Sequence, residues 1–76
     1  HRMAVVSLAG GATGNSGALS ADAVFYVQTG KAFFSTDSGV TKIPFDAGEK
    51  VVFTSGRTVT WYNDQPGAAE IRYMLL

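Results

Sequence analysis

Apolar and polar residues alternate along most of the chain, and turns that contain glycine interrupt the alternation. The pattern predicts seven short strands, at residues 3–9, 23–28, 31–35, 40–45, 50–55, 58–63 and 69–76, about one every eight to twelve residues. The stretch 10–17 holds four glycines and is predicted to be a flexible loop. The sequence therefore predicts a single all-β domain over 1–76, a small antiparallel β-sandwich or barrel of the jelly-roll kind.

The last two predicted strands show which side chains face the core, because neighbouring residues of a strand point to opposite faces. The predicted core residues of these strands are Val59, Trp61, Ile71, Tyr73 and Leu75. The other face of the last strand is polar at Glu70 and Arg72 and becomes apolar at Met74 and Leu76. A chain of 76 residues has little material to cover a second apolar face. We therefore expect a neighbouring subunit to cover it.

Composition and charge exclude several classes of function. The chain has no cysteine, and its one histidine is His1, so disulfides, thiolate zinc sites and histidine-rich metal sites are not expected. Six Lys and Arg balance six Asp and Glu, whereas nucleic-acid binding normally depends on a basic excess. No apolar run is long enough to span a membrane. We expect neither nucleic acid nor membrane as a partner.

No constellation of catalytic residues is visible. The glycines of 10–17 are followed by Ala18 and Leu19, where a phosphate-binding loop needs lysine and then serine or threonine. Three acids, Asp37, Asp46 and Asp64, fall in predicted turns, where turn formation explains them. The serines have no internal histidine that could act as a base. The sequence predicts a protein that is not an enzyme and has no cofactor.

Aromatic residues occur as neighbouring pairs, Phe25-Tyr26, Phe33-Phe34 and Trp61-Tyr62. One member of each pair can enter the core, and the other must be exposed or covered by a partner. Because aromatic side chains are enriched at the centres of protein interfaces, we predict an interface formed by Tyr26, Phe34, Tyr62, Met74 and Leu76. The alternative is a monomeric domain that binds carbohydrate through Tyr62, Asn63, Asp64 and Gln65.

The segment "IPFDAGEKVVFTSG" (43–56) places a glycine turn between two strands, as jelly-roll proteins do, and invites comparison with the metal-binding signature of the cupins. It lacks every histidine of that signature. No metal-dependent cupin activity is therefore implied.

In composition the whole chain resembles the small accessory proteins of tailed-bacteriophage virions, such as decoration, fibre or tail-associated β modules. The shared features are short length, neutral charge, absence of cysteine and abundance of glycine, serine, threonine and aromatic residues. The resemblance implies a structural role in a virion, as a homo-oligomer (a trimer is favoured) or docked on a capsid or tail. It transfers no functional residue.

Overall fold

The computed structural model describes residues 2–76, and His1 lies outside the described residues. Eight strands follow one another: β1 (Arg2–Leu8), β2 (Thr13–Ala18), β3 (Ala23–Thr29), β4 (Lys31–Ser35), β5 (Ile43–Asp46), β6 (Lys50–Phe53), β7 (Thr58–Tyr62) and β8 (Ala69–Leu75). The all-β prediction is confirmed, with eight strands where seven were expected. Residues 2–76 contain no helix that is long and apolar enough to cross a membrane.

The strands form two four-stranded sheets. Sheet I has the order β1-β8-β3-β6, and sheet II has the order β2-β7-β4-β5. Every paired neighbour is antiparallel. Successive strands lie in opposite sheets except for β4 and β5. Two antiparallel sheets connected in this way form a jelly roll, which confirms the predicted class of sandwich.

Aromatic rings from both sheets fill the space between them. Phe25 of β3 is fully buried. It stacks on Tyr73 with 4.5 Å between ring centroids, and it meets Phe34 edge-on at 5.7 Å and Phe53 at 5.3 Å. Edge-on and offset ring pairs are the arrangements that aromatic side chains favour. The predicted inward residues Val59, Trp61 and Ile71 are buried in the same core.

Strand β2 lies where the sequence predicted a flexible loop. Residues Thr13–Ala18 pair with β7, with an irregular register between Asn15 and Ala18. Gly14 is paired with Trp61, and a Cβ atom at Gly14 would lie only 2.5 Å from the indole Nε1. The ring of Trp61 thus occupies the space that a side chain at position 14 would need. The glycine permits this contact, and the segment is a strand without apolar alternation.

The connection between β4 and β5 is longer than predicted, because the strand expected over 40–45 begins only at Ile43. The buried Ser35 hydroxyl donates to Asp37 Oδ1 at 2.7 Å and accepts the Gly39 N–H at 2.9 Å. Hydrogen bonds from the Thr41 backbone N–H and then the Ser35 hydroxyl hold the pKa of the Asp37 carboxyl below its ordinary value. These bonds form a turn over 35–41, which explains Asp37 as a turn residue.

Candidate functional site

The space between the sheets offers no set of metal ligands. Among residues 2–76, no group of three or more His, Cys, Asp or Glu side chains is placed to hold a metal ion. The only buried polar residues described are Ser35 and Asn63, and both are hydrogen-bonded to the surrounding turns. The residues present do not fit a metal centre, because aromatic rings stand between the sheets.

Asn63 is not available as a carbohydrate ligand, which corrects the predicted site of Tyr62, Asn63, Asp64 and Gln65. Its side chain is buried. The amide Nδ2 donates to Leu8 O at 3.0 Å and to Gly67 O at 2.8 Å, and Oδ1 accepts the Gln65 N–H at 3.0 Å. All of these bonds hold the turn after β7 in place. Asp64 and Gln65 are exposed in that turn.

Phe34 is not available for an interface, which corrects a second prediction. Its side chain is 1% exposed and lies in the core beside Phe25. The outward member of this aromatic pair is Phe33, which is half-buried. The sequence could not separate the two, because a change of one residue in the phase of a strand exchanges its faces.

The outer face of sheet I carries a row of apolar side chains that crosses all four strands. The register aligns Met3 of β1 with Met74 of β8, Met74 with Val24 of β3, and Val24 with Val52 of β6. We call these four residues the apolar row. Met3 is 56% exposed and Val52 is 57% exposed. The predicted interface residue Met74 lies in the middle of the row and is half-buried.

A second row on the same face is mainly polar. Cross-strand pairing aligns Val5, Arg72, Tyr26 and Lys50. Arg72 binds Glu70 of the same strand through an ion pair of 2.9 Å. The Glu70 carboxylate, and after it the Tyr26 hydroxyl, raise the pKa of the Arg72 guanidinium, which remains charged. The outer face of sheet I therefore has an apolar row beside a cationic one, and it includes Tyr26, a predicted interface residue.

The other two predicted interface residues lie elsewhere. Leu76 follows β8 and is 55% exposed; its backbone N–H donates to Asp22 O at 2.9 Å. Tyr62 lies on the outer face of sheet II, where it is aligned with Thr13 and Phe33. The ammonium of Lys42 lies 4.2 Å from the centroid of the Tyr62 ring. The structure thus places Tyr26 and Met74 together and Tyr62 on the opposite side of the sandwich.

A shallow pocket of about 260 Å³ lies at the start of β1. It is lined by Met3 and Ala4 of β1 and by Tyr73 and Leu75 of β8. Ala4 is paired with Tyr73, and it is the smallest inward-facing residue of β1. The side chains that line the pocket are mostly apolar, and the pocket lies next to the free edge of sheet I, a position that the sequence did not indicate.

Comparison with known proteins finds likeness in structure only. No family model matches the chain, and no curated protein matches it either. The fold is similar to a Cupin_2 domain of an XRE family transcriptional regulator from Enterobacter cloacae, with a TM-score of 0.81, 16% identity, and coverage of 93% of this chain and 75% of that one. A predicted oxalate decarboxylase from Thermotoga maritima gives a TM-score of 0.77 at 21% identity, with 97% and 65% covered. A cupin superfamily protein from Desulfitobacterium hafniense gives 0.78 at 14% identity, again with 97% and 65% covered.

These likenesses show the fold. The chain spans 75% of the regulator domain but only 65% of the other two proteins. None of the three names concerns a virion, so the expected virion association remains a prediction. At such low identity the names assign neither activity nor ligand to this chain. Residues 2–76 form a jelly roll that is similar in fold to these proteins.

Proposed function

We propose that this domain is a non-enzymatic assembly module that associates with copies of itself through the outer face of sheet I. The observation that carries the proposal is the apolar row, in which Met3, Met74, Val24 and Val52 lie side by side across the sheet. Single exposed apolar residues are ordinary on protein surfaces, but contiguous ones indicate a contact. Two residues that the sequence predicted for an interface, Tyr26 and Met74, lie on this face.

A specific contact would have to engage the whole outer face of sheet I. A standard interface buries about 800 Å² on each partner, which is about a fifth of the 4257 Å² exposed by this chain. Four strands spaced by about 4.8 Å give an outer face about 19 Å wide, so the contact cannot be confined to the apolar row. Burial of apolar surface contributes about 25 cal/mol per Å². Burying this face against a second copy would therefore offset a substantial part of the translational and rotational entropy that association costs.

The charges around the apolar row favour a second copy as the partner. Arg72, Lys50 and Glu70 lie on one side of the row and together give that side one net positive charge. Asp22 precedes β3 on the other side. A two-fold axis along the row would bring the cationic side of one copy opposite the Asp22 side of the other. A contact between identical patches must be self-complementary in this manner. A partner of one strong charge would find no matching field on this face.

The proposal is tested by light scattering over a dilution series with two substitutions in the apolar row, Val52→Lys and Met74→Ser. A two-fold contact uses each residue twice, so a loss of about 1 kcal/mol per copy weakens dimerisation roughly 30-fold. We expect both variants to dissociate at concentrations where the parent chain is associated. Circular dichroism and thermal unfolding should show that both remain folded.

Val40→Lys is the matched control, since Val40 is 86% exposed and lies in the turn between β4 and β5. It should leave the mass unchanged. Tyr62→Ala tests the outer face of sheet II in the same assay and should also leave it unchanged. The proposal fails if the parent chain is a monomer up to millimolar concentration, or if only Tyr62→Ala disrupts association.

A further inference from the structure

The four edge strands of the two sheets differ in how well they resist pairing with another chain. An exposed edge presents unpaired N–H and C=O groups, and natural proteins block it with short strands, proline, irregular register or charge. At one edge β5 has four residues and contains Pro44. At another β6 also has four residues and begins with Lys50. The register of β2 is irregular between Asn15 and Ala18.

Strand β1 is neither short nor irregular, and its only charged residue is Arg2 at its start. It runs for seven residues, RMAVVSL, without glycine or proline, and it pairs with β8 in an uninterrupted register from Arg2 to Leu8. Its outward side chains Met3 and Val5 are 56% and 57% exposed. As the first strand of sheet I it has a neighbour on one side only among the described residues.

We propose that β1 pairs antiparallel with β1 of a second copy, so that two copies of sheet I form one continuous eight-stranded sheet. A two-fold axis beside Val5 pairs all seven residues: Val5 with Val5, Ala4 with Val6, Met3 with Ser7, and Arg2 with Leu8. No two charged residues oppose each other in this register, and a strand rich in valine suits a paired position. This edge contact rests on the proposed self-association and adds a second surface to it. The experiments below can contradict the edge contact without contradicting the face contact.

The pocket at the start of β1 supports a second copy as the occupant of this edge. Met3 and Ala4 line the pocket, with Tyr73 and Leu75 beside them. In the two-fold register Val6 of the second copy comes opposite Ala4, and its side chain faces the same side of the continuous sheet. It would cover apolar surface that one copy leaves open, because Ala4 is too small to do so. The edge and the pocket are thus completed by the same contact.

Cross-linking of single cysteines tests the inference cleanly, because the natural chain has none. The diagnostic variant is Val5→Cys, whose thiols would meet across the two-fold axis. Val52→Cys has the same 57% exposure but lies in the apolar row, so its cross-linking reports the face contact, and Val40→Cys measures random collision. Each is treated with a mild oxidant and, separately, with a short bismaleimide. We expect Val5→Cys to form covalent dimers at least tenfold faster than Val40→Cys.

Amide hydrogen exchange gives an independent readout on the unmodified chain. Edge pairing gives hydrogen-bond partners to the β1 amides that point to the free edge, so the exchange of these amides should slow as concentration rises. Contact between the outer faces of two sheets gives these amides no new partner. If the chain associates but Val5→Cys links no faster than Val40→Cys and β1 exchange is independent of concentration, the edge contact is wrong and the face contact stands. A chain that stays monomeric contradicts both.

Discussion

At the scale of single residues, Asn63 joins parts of the chain that are far apart in sequence. Its amide binds the carbonyl oxygens of Leu8 and Gly67, and its Oδ1 accepts the N–H of Gln65. We expect Asn63→Ala to lower the free energy of unfolding by about 2–3 kcal/mol, because the buried Leu8 carbonyl loses its donor. Urea denaturation followed by circular dichroism measures the change.

Asp64→Ala is the control for this residue, since Asp64 is the exposed neighbour in the same turn. An exposed substitution of this kind should change the free energy of unfolding by less than about 0.5 kcal/mol. Equal effects of the two substitutions would show that the hydrogen bonds of Asn63 do not stabilise the fold. The sequence placed Asn63 at the end of a predicted strand and in an alternative carbohydrate site, because its partner Leu8 lies in β1 and no local pattern points to it.

At the scale of elements, the strands that the sequence predicted well are those with clean alternation. Strand β8 was predicted at 69–76 and runs from Ala69 to Leu75, and its inward residues Ile71, Tyr73 and Leu75 belong to the core or pack against it. Their alternation reflects burial on one face, which is a local property of the chain. Strand β2 was missed because its packing partner, Trp61, is distant in sequence and requires a glycine instead of an apolar side chain.

The contact between β2 and Trp61 makes a second prediction. Gly14→Ala would place a methyl group 2.5 Å from the indole Nε1, so the ring or the strand must move. We expect a loss of about 1–3 kcal/mol in the free energy of unfolding, as for other overpacked sites. Trp61 is the only tryptophan, so its emission maximum reports the movement directly.

Gly67→Ala serves as the comparison for Gly14→Ala, because nothing lies within 4 Å of a Cβ atom at Gly67. It should leave both stability and tryptophan emission nearly unchanged. If Gly14→Ala behaves in the same way, the pairing of β2 with β7 is looser than the structure shows.

At the scale of the whole molecule, the sequence predicted a sandwich but not the order of its strands. The first and last strands, β1 and β8, are neighbours in sheet I, and most contacts of a jelly roll join distant parts of the chain. Alternation shows which side chains face inward, but it does not state which strand lies beside which. The outer face of sheet I and the free edge of β1 both depend on that order, so neither could be located from the sequence alone.

The two proposed contacts together determine a symmetry. The edge contact has a two-fold axis perpendicular to sheet I, and the face contact has one that lies along the apolar row. The edge axis lies beside Val5 and the face axis passes through Met3, two residues away along β1, so the two axes do not meet. Two-fold axes that do not meet combine to a screw, which builds an open assembly instead of a closed ring. We therefore expect the mass measured by light scattering to rise with concentration from dimers to larger assemblies, and not to stop at the trimer that composition favoured.

Each contact should be removable separately. Val52→Lys abolishes the face contact and should leave dimers joined through β1. Val5→Pro removes one backbone N–H of β1, which points either to the free edge or to β8. If circular dichroism shows an intact fold, this variant should form only dimers that are joined through the outer faces. The two substitutions combined should give monomers. A parent mass that stays at three chains over the whole dilution series would contradict both contacts, since two-fold contacts alone generate no three-fold ring. A dimer lost only with Val52→Lys would leave the face contact standing.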